Sequence, residues 1–210
     1  MVENKLQQWV CVVVVRRIEL FKLIIGLATG QVLLFHINDS FTVKELRPST
    51  NHSNAITAIV HNMKMFASGD VEGCICVFRN NKELTVEHEI QGDGYPITDL
   101  ALNGTYFIAS YSTGHVRLYR MSTGKLAVQV AAHGRSIYAM SLHNSYLATV
   151  GEDTYLNVWS IPGGEGEMEI TLMHNESVED RMLTGVEFNQ QGDLLVTAYD
   201  TCEVFTWMKN

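Results

Sequence analysis

One pattern recurs five times along this chain: an apolar stretch, a turn of small residues, then an alternating strand that ends in an aromatic. The segments are LIIGLATGQVLLF (Leu23 to Phe35), MFASGDVEGCICVF (Met65 to Phe78), YFIASYSTGHVRLY (Tyr106 to Tyr119), YLATVGEDTYLNVW (Tyr146 to Trp159) and LLVTAYDTCEVFTW (Leu194 to Trp207). Their terminal aromatics, Phe35, Phe78, Tyr119, Trp159 and Trp207, are 43, 41, 40 and 48 positions apart. Self-similarity at a fixed period means that one supersecondary unit is stacked repeatedly, because a single unit cannot bury its own apolar face.

The period identifies the unit. It matches four-stranded propeller blades of about 40–45 residues and is too long for leucine-rich or ankyrin repeats. The second half of each segment alternates, with Ile75 and Val77 on one face, as are Val116 with Leu118 and Leu156 with Val158. Gly30, Gly73 and Gly114 stand where a hairpin must turn, and glycine accepts positive φ there. The three prolines all lie outside these segments, as sheet interiors require. The expected fold is all-β, with about five four-stranded units. Residues 1–22 read as a divergent N-terminal strand segment. The repeat region is 23–210, with units near 23–49, 50–92, 93–131, 132–173 and 183–210.

The fourth unit carries a family likeness. From Ala132-His133 through Ile137, Leu147-Ala148-Thr149, Asp153 and Trp159 it resembles a complete WD repeat. The resemblance implies a β-propeller. It also implies that His133, Thr149, Asp153 and Trp159 form the buried hydrogen-bonded tetrad of that family, a structural device in which every polar group finds a partner. The second unit is a worn copy: His52 precedes Phe78 by 26 positions, as His133 precedes Trp159. Ser68 matches Thr149, and Glu72 stands where Asp153 does, but Phe78 cannot donate. The third unit has Ala109 and Thr113 at the hydroxyl and acid places, so no tetrad is expected. Counted back from Trp207, the fifth keeps Thr197 and has Thr201 at the acid place, with Asp200 one place early. The likeness runs from about Leu23 to the C-terminus, through phrases such as Pro96-Ile97-Thr98-Asp99 and Gly151-Glu152-Asp153-Thr154.

Strand counting raises a closure problem. The last unit reaches Trp207 at its third strand, while Trp9 to Val15 suits the first strand of the first unit. An incomplete ring, such as part of a seven-bladed one, is therefore favoured over a five-bladed one. Its unpaired apolar edges would invite self-association.

Charge narrows the partners. Fifteen basic against 23 acidic residues give a net charge of −8, which argues against nucleic acid or an anionic membrane, since phosphate binding needs Lys and Arg. The seven-residue apolar run Trp9 to Val15 is far short of a membrane span, which takes about 18 residues or more. Four cysteines (Cys11, Cys74, Cys76, Cys202) lack both disulfide density and zinc spacing, so the expected compartment is the cytoplasm, with the nucleus as alternative. No cofactor or metal is expected. The histidines show no HExxH, and there is no G-x-S-x-G elbow; Ser122-Thr123-Gly124-Lys125 resembles only the tail of a phosphate loop.

The expected function is that of a non-catalytic protein–protein interaction scaffold. The alternatives are a substrate-receptor or adaptor subunit of a larger complex and, behind it, a propeller enzyme with a channel site. WD-repeat proteins commonly bind through the face that carries the turns between second and third strands. By register that rim holds Asp70, Glu72, Tyr95, Tyr111, Arg135, Glu152, Tyr199 and Asp200. Tyr and Arg are the expected hot spots there. The acidic connector Gly163 to Glu167 and the loop Met173 to Met182 stretch the last interval.

Overall fold

The computed structural model describes residues 10–15, 21–37, 43–49, 52–62, 64–79, 85–161, 163–164 and 169–208, with side chains of the first sheet described over 24–34. The chain divides into two compact units, Met1–Ile97 and Thr98–Asn210. Phe35 is described in backbone only, and Glu165 to Glu167 of the acidic connector lie outside the described residues.

The first unit holds two antiparallel sheets of four strands each. One runs β1 (Val10–Val15), β2 (Phe21–Leu27), β3 (Val32–Ile37), β4 (Val43–Ser49); the other β5 (Ile56–His61), β6 (Met65–Asp70), β7 (Ile75–Arg79), β8 (Val86–Ile90). The N-terminal strand segment at 1–22 contributes β1 as the first strand of this sheet, paired with β2 from Val10↔Leu27 to Val15↔Lys22. Ile24, Leu34, Ile56, Phe66 and Phe78 form the core of this unit.

The second unit holds three sheets. They are β9 (Ile97–Leu102), β10 (Tyr106–Tyr111), β11 (His115–Arg120), β12 (Leu126–Ala131); then β13 (Ile137–His143), β14 (Tyr146–Gly151), β15 (Tyr155–Ser160), β16 (Thr171–Ser177); then β17 (Leu183–Phe188), β18 (Leu194–Ala198), β19 (Val204–Trp207). Every described sheet is an up-and-down meander, the arrangement that short turns between antiparallel strands produce. The fourth sheet continues to Ser177, beyond the expected limit near 173.

The repeat reaches into fine detail. In four sheets the ladder between third and fourth strands slips just before the terminal aromatic, at Leu34/Phe35, Val77/Phe78, Leu118/Tyr119 and Val158/Trp159. A second slip bends the first strand at Ile56/Ala58, Ile137/Ala139 and Leu183/Gly185. Such bulges kink a strand and strengthen its twist. The turn after the first strand is built on asparagine. Asn62 Oδ1 accepts the N–H groups of Lys64 and Met65, Asn103 those of Thr105 and Tyr106, and Asn189 those of Gln191 and Asp193. Asn144 holds the same place with φ 56°.

The turn between second and third strands needs positive φ. Gly30, Gly73 and Gly114 supply it at 82°, 86° and 80°, and a Cβ on Gly114 would lie 2.2 Å from the His133 carbonyl oxygen. In the fourth sheet the place falls to Thr154 at φ 72°. Packing between sheets is apolar: Ala148, Val150 and Leu156 of the fourth sheet meet Leu183, Val186 and Val196 of the fifth. On the other face of the fifth sheet, Leu195 and Val204 are 38% and 56% exposed.

Candidate functional site

The fourth sheet ties its turn to its core through one chain of hydrogen bonds. His133, just ahead of β13, has its side chain fully enclosed. Its Nδ1 lies 2.8 Å from Asp153 Oδ1, and its Nε2 lies 2.9 Å from Thr149 Oγ1. Trp159 Nε1 donates to that same hydroxyl oxygen at 3.2 Å. The indole can only donate and the carboxylate can only accept, so the direction of the chain follows. The indole N–H donates to Thr149, the Thr149 hydroxyl to His133 Nε2, and His133 Nδ1–H to Asp153. Asp153 also accepts the N–H groups of Gly134 at 2.8 Å and Tyr155 at 3.3 Å, which pins the turn.

The second sheet reaches the same end differently. Here His52 Nε2 meets Ser68 Oγ at 2.8 Å, but His52 Nδ1 pairs with Asp70 Oδ2 at 2.9 Å and not with Glu72. Glu72 is exposed. Asp70 therefore replaces Glu72 as the acid of this sheet. The two acids stand at different places in one shared register. Asp70 sits opposite Ile56, the place Gly151 takes opposite Ile137 in the fourth sheet. A Cβ on Gly151 would lie 2.4 Å from the Ser136 carbonyl oxygen, so there the acid must stand in the turn. In the second sheet it stands at the strand end and accepts from Glu72 N and Cys74 N with its other oxygen. Phe78, without a donor, stacks on Phe66 with centroids 4.6 Å apart.

Serine, histidine and aspartate in a row invite a nucleophilic reading. Ser68 is 0% exposed and Asp70 1%, so the hydroxyl meets no substrate and the row serves packing.

The third sheet closes its gap with two phenols. Tyr111 takes the Asp70 place and Tyr119 the terminal aromatic, and their hydroxyls lie 2.9 Å apart. Arg117 caps this pair, its guanidinium 4.4 Å above the Tyr111 ring. Burial, then the neighbouring Tyr119, pushes the Tyr111 phenol well above its usual range, so it stays protonated.

In the fifth sheet Leu194 faces Trp207, as Leu147 faces Trp159. The residue two places on is Val196, where the fourth sheet has Thr149. Thr197 therefore lies on the opposite, exposed face, which corrects the place counted back from Trp207. One extra residue in the turn causes the slip. Trp207 Nε1 instead donates to Glu176 Oε2 at 2.6 Å.

The rim residues divide. Asp70 and Tyr111 are both 1% exposed and leave the rim, because their shared strand-end position points inward. Tyr95 of the first unit is exposed. In the second unit Arg135 Nη1 pairs with Glu152 Oε1 at 2.9 Å, and Arg181 Nη1 with Asp200 Oδ1 at 3.1 Å. Arg181 holds in the fifth sheet the place of Arg135 in the fourth, two residues before the first strand; the sequence placed it only in a long loop. Tyr199, beside Asp200, is 75% exposed. Exposed ion pairs of this kind add little to stability. Each uses one prong of a guanidinium, whose remaining donors suit a partner's carbonyl or carboxylate groups. Among the described residues no three His, Cys, Asp or Glu side chains gather as metal ligands.

Comparison with known proteins agrees with this architecture. The sequence model of the WDR54 family matches residues 12–209. WD repeat-containing protein 54 of Homo sapiens is 34% identical over 143 residues, which span 65% of this chain and 43% of that protein. The Mus musculus protein of that name is 31% identical over 196 residues, spanning 86% of this chain and 58% of its own length. The chain thus spans about half the length of the curated relatives it matches. Among solved structures, the computationally designed Ika8 protein superposes with a TM-score of 0.75 at 20% identity, covering 93% of this chain and 57% of that one. That likeness carries the fold alone, an all-β architecture of the propeller type.

Proposed function

This chain belongs to the WDR54 family, and from that premise we propose that it is a non-catalytic scaffold that binds other proteins. The contact surface in the second unit is the set of turns bearing Arg135, Glu152, Tyr199 and Asp200. One observation carries the reading: Tyr199, 75% exposed, projects beside Asp200, whose carboxylate holds Arg181. Tyrosine and arginine on a pre-ordered surface are the residue types that dominate binding energy at interfaces. The enclosed Ser68–His52–Asp70 row supports a non-catalytic role, since its nucleophile is out of reach. Among the described residues, Cys74, Cys76 and Cys202 are thiols and not disulfides, which supports a reducing compartment, the cytoplasm.

The test is quantitative capture of partners by the chain and by its Tyr199→Ala and Arg135→Glu variants, each checked for an unchanged melting temperature. Loss of the same partners from both variants is the expected result. Full retention of every partner by both would remove this surface from consideration.

A further inference from the structure

Two places after the aliphatic residue that opens the first strand, the second, fourth and fifth sheets keep a small side chain. Ala58 follows Ile56, Ala139 follows Ile137 and Gly185 follows Leu183. The third sheet breaks the rule with Asp99 after Ile97. Its Oδ2 accepts the backbone N–H of Met140 on β13 at 2.8 Å, and its Oδ1 that of Leu100 on its own strand at 2.8 Å. The carboxylate thereby joins two sheets of the second unit. At the next junction the same task falls to an uncharged group, Ser141 Oγ, which accepts Phe188 N–H from β17 at 3.0 Å. Nothing in the repeat requires a charge at this position.

We propose that Asp99 is a proton-operated clamp at the junction of β9 and β13, holding the Met140 amide firmly as a carboxylate and loosening it on proton uptake in mildly acidic solution. The two states differ because an ionised acceptor makes the stronger bond to an N–H group. The surroundings bring the exchange within reach of ordinary pH. Burial pushes the carboxyl up to about 6; the Met140 and Leu100 amides pull it back down, and the negative charge of Glu187 raises it further. Glu187 reaches it from β17. On β13 the titratable side chains are Tyr138, exposed at the bulge, and His143, its ring tilted against Phe188 with centroids 5.6 Å apart. On β10, Ser110 donates to the Asp99 backbone oxygen at 3.4 Å, and the Tyr111 phenol of that strand stays protonated. Among the described residues, Glu187 is the charge on another strand that acts on the clamp.

The experiment is an amide and carboxyl NMR titration of the whole chain from pH 4 to pH 8. The Asp99 carboxyl carbon and the Met140 amide should move together with a midpoint near 6, the Met140 proton shifting upfield as the pH falls. In Asp99→Asn the Met140 shift should vanish. In Glu187→Gln, which leaves the clamp intact, the midpoint should fall. A carboxyl midpoint near the ordinary value of about 4 overturns the clamp. So does a Met140 amide that stays flat while the carboxyl titrates. The wild-type titration decides the matter even where Asp99→Asn fails to fold.

Discussion

His52 Nδ1 and Asp70 Oδ2 lie 2.9 Å apart with both side chains enclosed, although the acid stands two residues earlier than its counterpart Asp153. A buried carboxylate that also pins two turn amides cannot be removed cheaply. Asp70→Ala should lower stability by about 3 kcal/mol, the upper range for hydrogen bonds to a charged group. Glu72→Ala, at an exposed site, should change it by less than about 0.5 kcal/mol. Denaturant titration of both variants checks the assignment, and a larger loss at Glu72 would reverse it.

Asp153→Ala removes the acceptor of His133 Nδ1–H and of the Gly134 amide. The expected loss is about 1–3 kcal/mol, the cost of leaving such donors without partners. An unchanged melting temperature would show that water replaces the carboxylate at no cost.

Thr154 holds φ 72° with a β-branched side chain, at a turn place where other sheets use glycine. Strain of this kind costs on the order of 1–3 kcal/mol. Thr154→Gly should therefore stabilise the chain, by about 1 kcal/mol once the added freedom of the unfolded glycine is deducted. A higher denaturation midpoint at an unchanged slope is the expected observation.

The Tyr111 and Tyr119 hydroxyls satisfy each other. Tyr111→Phe and Tyr119→Phe should each cost about 1–2 kcal/mol, because each leaves one phenol without that partner. The double variant should cost clearly less than the sum, giving a coupling energy that a double-mutant cycle reads directly. Additive losses would show that the two phenols do not depend on each other.

The raised carboxyl of Asp99 carries a sign for stability as well. A group whose folded value lies above its unfolded one contributes most when protonated. That contribution is full below about pH 4 and fades as the pH rises through about 6. Stability profiles of the chain and of Asp99→Asn should differ in slope within that window and run parallel above it.

The repeat, its strands and its turn glycines were legible because a period near 40 residues and an alternation of two are properties of the chain alone. Side-chain partners were legible where register and residue types both follow the repeat. His133, Thr149, Asp153 and Trp159 stand at spacings that the fourth sheet preserves. In the second sheet the strand end carries an acid, Asp70, where the fourth has Gly151, and it is this acid that meets the imidazole. Tyr111 looked like a turn residue, yet alternation sends that strand-end side chain inward. In the fifth sheet, counting back from Trp207 crosses a longer turn, so Thr197 lands on the wrong face. Asn62, Asn103, Asn144 and Asn189 did leave a signal, an asparagine after every first strand from β5 onward.

Sheets so alike in outline are locked by unlike chemistry: an imidazole–carboxylate pair, two phenols, an indole on a threonine, an indole on a glutamate. Each kind of insult accordingly has its own point of entry. A lost carboxylate bears on the histidine–carboxylate locks, and a lost hydroxyl bears on the two phenols. Oxidation of an indole bears on the last two sheets. Among the described residues each form of damage meets a different bond, and a change at one lock leaves the hydrogen bonds of the others in place.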